Sequence, residues 1–442
     1  MHAPRTLLSL FAASFIVACS PPVTNDPDSA TPADAMTPED VPSTPFDGQS
    51  LPDASTPTDA RPDGTSPADS GIDPCAGGAC PMVTQLAIGQ DQGCAVIAGG
   101  TLRCWGRNIA GQLGDGTTMD RVRPVMISLT NVAHAASGYE HSCAVRMDGT
   151  VHCWGAGTNG QLGNGAMNSS NTPVQVMGIT NATKVVAGAY ASCALLRDRT
   201  VRCWGRGSDL GTGNLANSAV PVSPMGLADA IDLAMGHTNT RSGSSQTTCA
   251  LLSTGRIKCW GYGGEGQIGD GMRNSARTPM DVMNITTARA VFAGGNHLCA
   301  LLMDNTARCW GNGTSGELGD GALELRTTPV VVAGLNNIRT MALGDWFSCA
   351  VLMDGSAQCW GHGSRAQLGR GVIPGVGESR FPVPAPVVGL RNVLAMGAGE
   401  QHACAYTMDG VTRCWGDNTF GQLGTGSANT LERYPTPLPV QW

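Results

Sequence analysis

Residues 143–155 read CAVRMDGTVHCWG: a Cys, nine residues, then Cys-Trp-Gly. Short apolar runs flank Met147-Asp148-Gly149, so the segment reads as two strands joined by a tight turn. Opposed residues in an antiparallel pair share a constant index sum. With Cys143 facing Cys153, Met147-Asp148-Gly149 becomes a three-residue loop, and Gly149 takes the left-handed position that closes it. The two Cys are then expected directly opposite, with Cα atoms about 5.5 Å apart, within reach of a disulfide. Closing a loop of this size contributes roughly 2–3 kcal/mol in the chain-entropy account.

The fragment returns seven times, as Cys94/Cys104, Cys143/Cys153, Cys193/Cys203, Cys249/Cys259, Cys299/Cys309, Cys349/Cys359 and Cys404/Cys414. The Trp after each second Cys recurs at gaps of 49, 50, 56, 50, 50 and 55 residues. A fixed period near 50 is a repeat architecture, and the number of units then matters more than the 442-residue length. Around the hairpin lie NVAHAASG at 131–138 and TPVQVMG at 172–178, so each unit holds four short strands, the size of a propeller blade. The repeated Trp and the Gly-Gln-Leu-Gly turns read as packing, since a site seldom needs seven copies. The third unit departs: Ser208-Asp209-Leu210-Gly211 lacks the Gln and is two residues short.

Zinc sites use short Cys-x-x-Cys clusters, whereas each unit offers two Cys at a longer spacing and no His repeats beside them. No metal and no cofactor is expected. The 17 Cys divide into fourteen in hairpins, Cys19, and Cys75 with Cys80, whose mutual pairing the sequence leaves open. No odd thiol is left over, which fits export into an oxidising space.

The pattern Gly-x-x-His-Ser-Cys-Ala, Asp-Gly, Cys-Trp-Gly, Gly-Gln-Leu-Gly and a Pro-Val strand resembles the regulator of chromosome condensation repeat family over about 82–442. The resemblance implies an all-β, seven-bladed β-propeller with four-stranded blades. The chain itself adds one hairpin disulfide per blade. It also suggests how the ring closes. Unit one has no Pro-Val strand before Val83, and unit seven is followed only by Leu438-Pro439-Val440-Gln441-Trp442. The C-terminal strand is therefore expected to join the first three strands in one shared blade. The namesake's nucleotide exchange on a Ran-type GTPase and its chromatin binding do not suit an exported chain. A secreted bacterial member that inhibits a β-lactamase suits it better and points to protein binding.

The N-terminus carries an address. MHAPRTLLSLFAASFIVAC (1–19) has a short basic start and an apolar run too short to span a bilayer. It ends in Ile16-Val17-Ala18-Cys19, which resembles the lipobox of bacterial lipoproteins, with Cys19 the acylated residue. Ser20 suggests outer-membrane delivery by analogy with enteric lipoproteins. Residues 20–74 hold 11 Asp/Glu and one Arg among Pro, Thr and Ser, and read as a disordered acidic tether. Residues 75–442, the propeller domain, hold 23 Asp/Glu and 25 Arg/Lys. A nearly neutral body argues against nucleic acid as a partner. The expectation is a monomeric lipoprotein of a bacterial cell envelope, tethered to the outer membrane and exposed on its surface.

Function should lie where the units differ. Unit four inserts at 237–248 and unit six at 371–383. A blade running Pro-Val, Ala-Gly, Cys-Ala and Cys-Trp strands would bring both insertions to one face, together with the variable Gly-x-x residues. Tyr139, Tyr190, His237, Arg241, Trp346 and Phe347 vary between units and are the candidate partner-binding residues, with a protein or glycan as ligand. His141, His297 and His402 recur and read as structural. No Gly-x-Ser-x-Gly elbow, His-Glu-x-x-His pair or unique carboxylate pair suggests an enzyme. An envelope lyase or hydrolase using the central channel, or a purely structural envelope protein, is the alternative.

Overall fold

The computed structural model describes residues 75, 78–236, 238–240, 243–375, 378–429 and 433–442. Among them, seven four-stranded antiparallel sheets follow one another along the chain as the blades of a β-propeller. The first consists of Val83–Ile88, Gln92–Ile97, Thr101–Gly106 and Arg121–Met126, and the later blades repeat that plan. In the fourth blade a small ribbon, Thr238–Thr240 with Gly243–Ser245, is added between the first and second strands.

Strand order within a blade differs from the expected one. The Ala-Gly strand is innermost and lines the central channel, and the Pro-Val strand is fourth and outermost, paired with the Cys-Trp strand of its own unit. Proline is compatible with the placement. It has no N–H to give to a ladder, so Pro124, Pro173, Pro221, Pro279 and Pro329 are kept from the two middle strands and sit on an edge, here the outer one.

Each hairpin keeps its expected register. Cys94 lies opposite Cys104, Cys143 opposite Cys153, Cys193 opposite Cys203 and Cys249 opposite Cys259. Cys299 likewise faces Cys309, Cys349 faces Cys359, and Cys404 faces Cys414. All seven pairs are disulfides, and Cys75 is bonded to Cys80.

The expected Cα separation of the hairpin bridges is corrected. It is 4.1 Å for Cys94 and Cys104, for Cys249 and Cys259, for Cys349 and Cys359, and for Cys404 and Cys414. It is 4.0 Å for Cys143 and Cys153, for Cys193 and Cys203, and for Cys299 and Cys309. Hydrogen-bond phase is the reason. Arg146 N–H donates to the Thr150 carbonyl at 2.9 Å, so alternation makes 143/153 a non-hydrogen-bonded pair, the class in which strands approach more closely.

The turns that join these strands need a left-handed residue. Gly149 has φ 83°, and Arg199 and Asn305 take the same position in their units at 65° and 64°. The Asp148 carboxylate accepts bonds from the Thr150 hydroxyl and N–H at 2.6 and 2.9 Å, which hold its pKa below the usual range.

The blades are joined by the repeated Trp. Each of Trp105, Trp154, Trp204, Trp260, Trp310, Trp360 and Trp415 is fully buried. Each indole N–H donates to a carbonyl in the preceding blade's third-to-fourth loop, for example Trp154 to Gln112 and Trp204 to Gln161, both at 2.9 Å. The Gly-Gln-Leu-Gly turn is held by its own Gln: the Gln112 side-chain oxygen accepts from Ala110 N–H and that of Gln161 from Asn159 N–H. Its last glycine lets the next indole approach, and a Cβ on Gly163 would lie 2.8 Å from the Trp204 ring.

The same joint closes the ring, which corrects the expected shared blade. The C-terminal strand Arg433–Pro439 pairs with Thr412–Asp417 of its own blade. Closure comes from Trp105 of blade one, whose indole donates to the Gln422 carbonyl of blade seven at 2.9 Å and meets Trp442 edge-on at 6.0 Å. A seventh copy of an existing joint leaves nothing for an exchanged strand to supply.

Candidate partner-binding face

In an up-and-down blade the first-to-second turn and the third-to-fourth loop share one side. The Gly-x-x turns and Gly-Gln-Leu-Gly loops therefore form one face, and the Asp-Gly turns the other. Both insertions fall on the first, because moving the Pro-Val strand outward leaves these two connections together.

Tyr139, Tyr190 and Trp346 are half-buried on this face. Tyr139 N–H donates to the Gly188 carbonyl at 3.0 Å, and burial raises its phenol pKa. The Tyr190 ring lies beneath the Arg206 guanidinium at 4.7 Å. Trp346 meets His362 edge-on at 6.2 Å. Phe347 is a correction. It begins the strand Phe347–Leu352 and is wholly buried among Cys349, Leu368 and Trp415, because alternation turns it inward. His237, Arg241 and Cys19 lie outside the described residues.

The hairpin disulfides take no part in this surface. Cys104, Cys153, Cys203, Cys259, Cys309, Cys359 and Cys414 are wholly buried, each packed in a hydrophobic cluster or directly beside the Trp that joins two blades. Their partners Cys94, Cys143, Cys193, Cys249, Cys299, Cys349 and Cys404 are buried with them. These bridges are scaffold, and no ligand reaches them from the face.

The three recurring histidines are buried. His141 Nε2 sits 2.8 Å from Ser192 Oγ and His297 Nε2 2.7 Å from Ser348 Oγ, each across a blade junction. Each Ser hydroxyl also lies within hydrogen-bond distance of the turn carbonyl that receives the Trp. For His402 the next blade offers Gly93 instead of Ser. Burial pushes His297 down to about 3 and His402 to about 4, so both rings are neutral at ordinary pH.

Sequence reasoning missed three features here. At the channel mouth Asp345, Glu400 and Asp91 come from blades six, seven and one. Burial and then Glu400 push Asp91 up to about 7, and Asp345 is raised well above the carboxylate range by burial and the same neighbours. Asp91 also pairs with Arg107 at 3.1 Å. Second, the shortened third loop leaves a cavity of about 290 Å³ between blades three and four. Its signal was the missing Gln at 208–211. Third, Glu317 replaces the Gln of this turn in blade five, a substitution legible in the sequence, but not its burial, whose desolvation pushes the carboxyl up to about 8.

The channel encloses about 260 Å³, lined by the seven inner strands. It carries a Lys184–Asp232 ion pair at 2.6 Å and His134, driven to about 3 by burial and then by Lys184. The opposite face shows Met147, Met303, Met353 and Met408 at one repeated position, each more than half exposed. Among the described residues no group of three His, Cys, Asp or Glu could hold a metal ion.

The regulator of chromosome condensation (RCC1) repeat matches residues 100–145, 148–195, 254–301 and 309–351. A second form of the repeat matches 132–161, 182–209, 288–317 and 393–422. The chain belongs to the RCC1 repeat family. Prp20p of Saccharomyces cerevisiae, studied for its binding to Gsp1p and histones, matches with TM-score 0.67 and 20% identity over 82% of this chain and 87% of its own. Yeast RCC1 (Prp20) bound to Kap60 gives 0.66 and 20% over 87% and 91%. Human WBSCR16 gives 0.66 and 20% over 77% and 95%. At these identities the likeness to the solved structures is one of fold. RCC1-like propellers are commonly used for protein binding.

Proposed function

We propose that this RCC1-repeat propeller is an extracytoplasmic binding module, tethered to a bacterial outer membrane through lipid on Cys19, that grips a protein partner with the face bearing the two insertions. One observation carries the reading: departures from the repeat gather on that face. Tyr139, Tyr190 and Trp346 are half-buried there, so each offers a ring that needs little further ordering to bind. The eight disulfides support an oxidising compartment. The apolar run ending at Cys19 and the acidic stretch 20–74 support an anchor and a tether.

The test is capture of partners from the source's envelope and secretions with residues 75–442, followed by affinity measurement on the partner recovered. Tyr190→Ala with Trp346→Ala should weaken binding at least tenfold, while Met303→Ser with Met353→Ser on the other face should not. The reverse pattern would sink the assignment of the face. Labelled palmitate incorporated into wild type but not Cys19→Ala tests the anchor.

A further inference from the structure

The cavity between blades three and four is a local exception in an otherwise regular ring. Gly155 pairs with Ser170 and Gly261 with Ala276, but Gly205 pairs with Ser218, two residues sooner. The shorter loop makes a single 3-10 turn, Gly207–Asp209, instead of the usual Gly-Gln-Leu-Gly approach. The joint below it survives, since Trp260 still donates to the Asp209 carbonyl at 3.0 Å. The space above is left open. Leu215, Tyr262 and Ala276 line it, with Arg206 and Arg277.

Its charge is unbalanced. Arg206 is matched by Asp209, at 2.7 Å from Nε, and stacks over Tyr190. Arg277 is exposed and makes no ion pair among the described residues. The lining therefore joins an apolar interior to one uncompensated cation. The volume, about 290 Å³, lies at the lower end of small-molecule sites, which suits one inserted side chain better than a whole cofactor. Gln246, at the end of the blade-four insertion, accepts a bond from Tyr190 N–H at 3.1 Å, so insertion, ring and cavity share one junction.

We infer that this cavity is the anchoring subsite of the face, taking an apolar side chain that adjoins a carboxylate on a protein partner. The inference rests on the protein-binding reading above and names the chemistry of the partner's anchor. The apolar part displaces water from Leu215, Tyr262 and Ala276, and the carboxylate meets Arg277, which is free to form a two-pronged pair.

The test needs no identified partner. N-acetylphenylalanine and its uncharged amide are titrated by NMR into the full chain bearing Cys19→Ala. The acid should bind at least about fivefold more tightly than the amide, a ratio worth about 1 kcal/mol. Arg277→Gln should abolish that preference while leaving the amide's affinity unchanged. Ser275→Trp, at an exposed position on the rim, should block both probes. Equal binding of acid and amide, binding to the Ser275→Trp variant, or no binding of either probe overturns the inference. None of those results touches the reading of the face, which rests on partner affinity and the Tyr190 and Trp346 variants.

Discussion

Replacing Glu317 by Gln should stabilise the propeller, and more so as pH rises. Glu317 occupies a turn position that holds Gln in five other blades. One carboxyl oxygen accepts from Ser315 N–H at 2.8 Å and the other has no partner. Burial raises its pKa from 4.5 to about 8. Below about pH 4.5 folded and unfolded chains both keep the proton, so the substitution has no pH-linked effect. Between 4.5 and 8 only the folded chain keeps it, and stability falls with rising pH. The pKa difference is worth on the order of 5 kcal/mol above pH 8 and about 3 kcal/mol at pH 7. Gln presents the same acceptor to Ser315 and cannot ionise. Scanning calorimetry of both proteins, oxidised and at matched scan rates, reads the effect. The Tm gain should be near zero at about pH 4 and grow to several degrees at neutral pH, at roughly 2 °C per kcal/mol for a chain of this size. A gain that is constant with pH, or a variant less stable at pH 8, would refute the account of a neutral, buried Glu317.

Three further outcomes are expected. Gly163→Ala should cost about 2 kcal/mol or more in denaturant unfolding, because its Cβ would press on Trp204 and its φ is 68°. Ala366→Gly should raise stability by about 1 kcal/mol, since Ala366 has φ 65° where five other units have Gly; an unchanged urea midpoint would count against it. Replacing both Cys193 and Cys203 by Ala should cost roughly 2–3 kcal/mol, read by thermal unfolding, and leave the other six hairpins bridged.

The fold was legible because its signals repeat. Seven spacings of Cys and Trp fixed blade number, hairpin register and disulfides, each by a local rule. The bridge from Cys94 to Cys104 could be read as surely as that from Cys404 to Cys414, though not how closely the strands approach, which depends on hydrogen-bond phase. Strand order was not legible, since a repeat has no natural first strand and the unit can be cut before or after the Pro-Val run; proline's edge preference rules out the two middle positions but fits either end of the blade. Closure failed for the same reason. On the face, Tyr139, Tyr190 and Trp346 were readable as departures from the pattern. Phe347 misled because it varies between units, yet it opens its strand two residues before its Cys, the place of the buried His141, His297 and His402. The acidic mouth arises from residues some 50 to 310 positions apart, which no local pattern reports; for the cavity the local pattern shows the two-residue deletion at 208–211 but not the space it opens against the next blade.

Because every blade is one uninterrupted stretch of chain, with its disulfide closing across ten residues, no blade waits for a distant strand. Under the export proposed above, a chain emerging N-terminus first would complete and oxidise its blades in order of arrival. Among the described residues, the step that requires both ends is the junction of blade one with blade seven, where Trp105 meets the Gln422 carbonyl and Glu400 N–H donates to the Gln90 carbonyl. The same locality makes the blade a unit of inheritance: a copy could be gained or lost with its own strands and disulfide intact, and a loop trimmed in one copy, as in the third, leaves the other six unaltered.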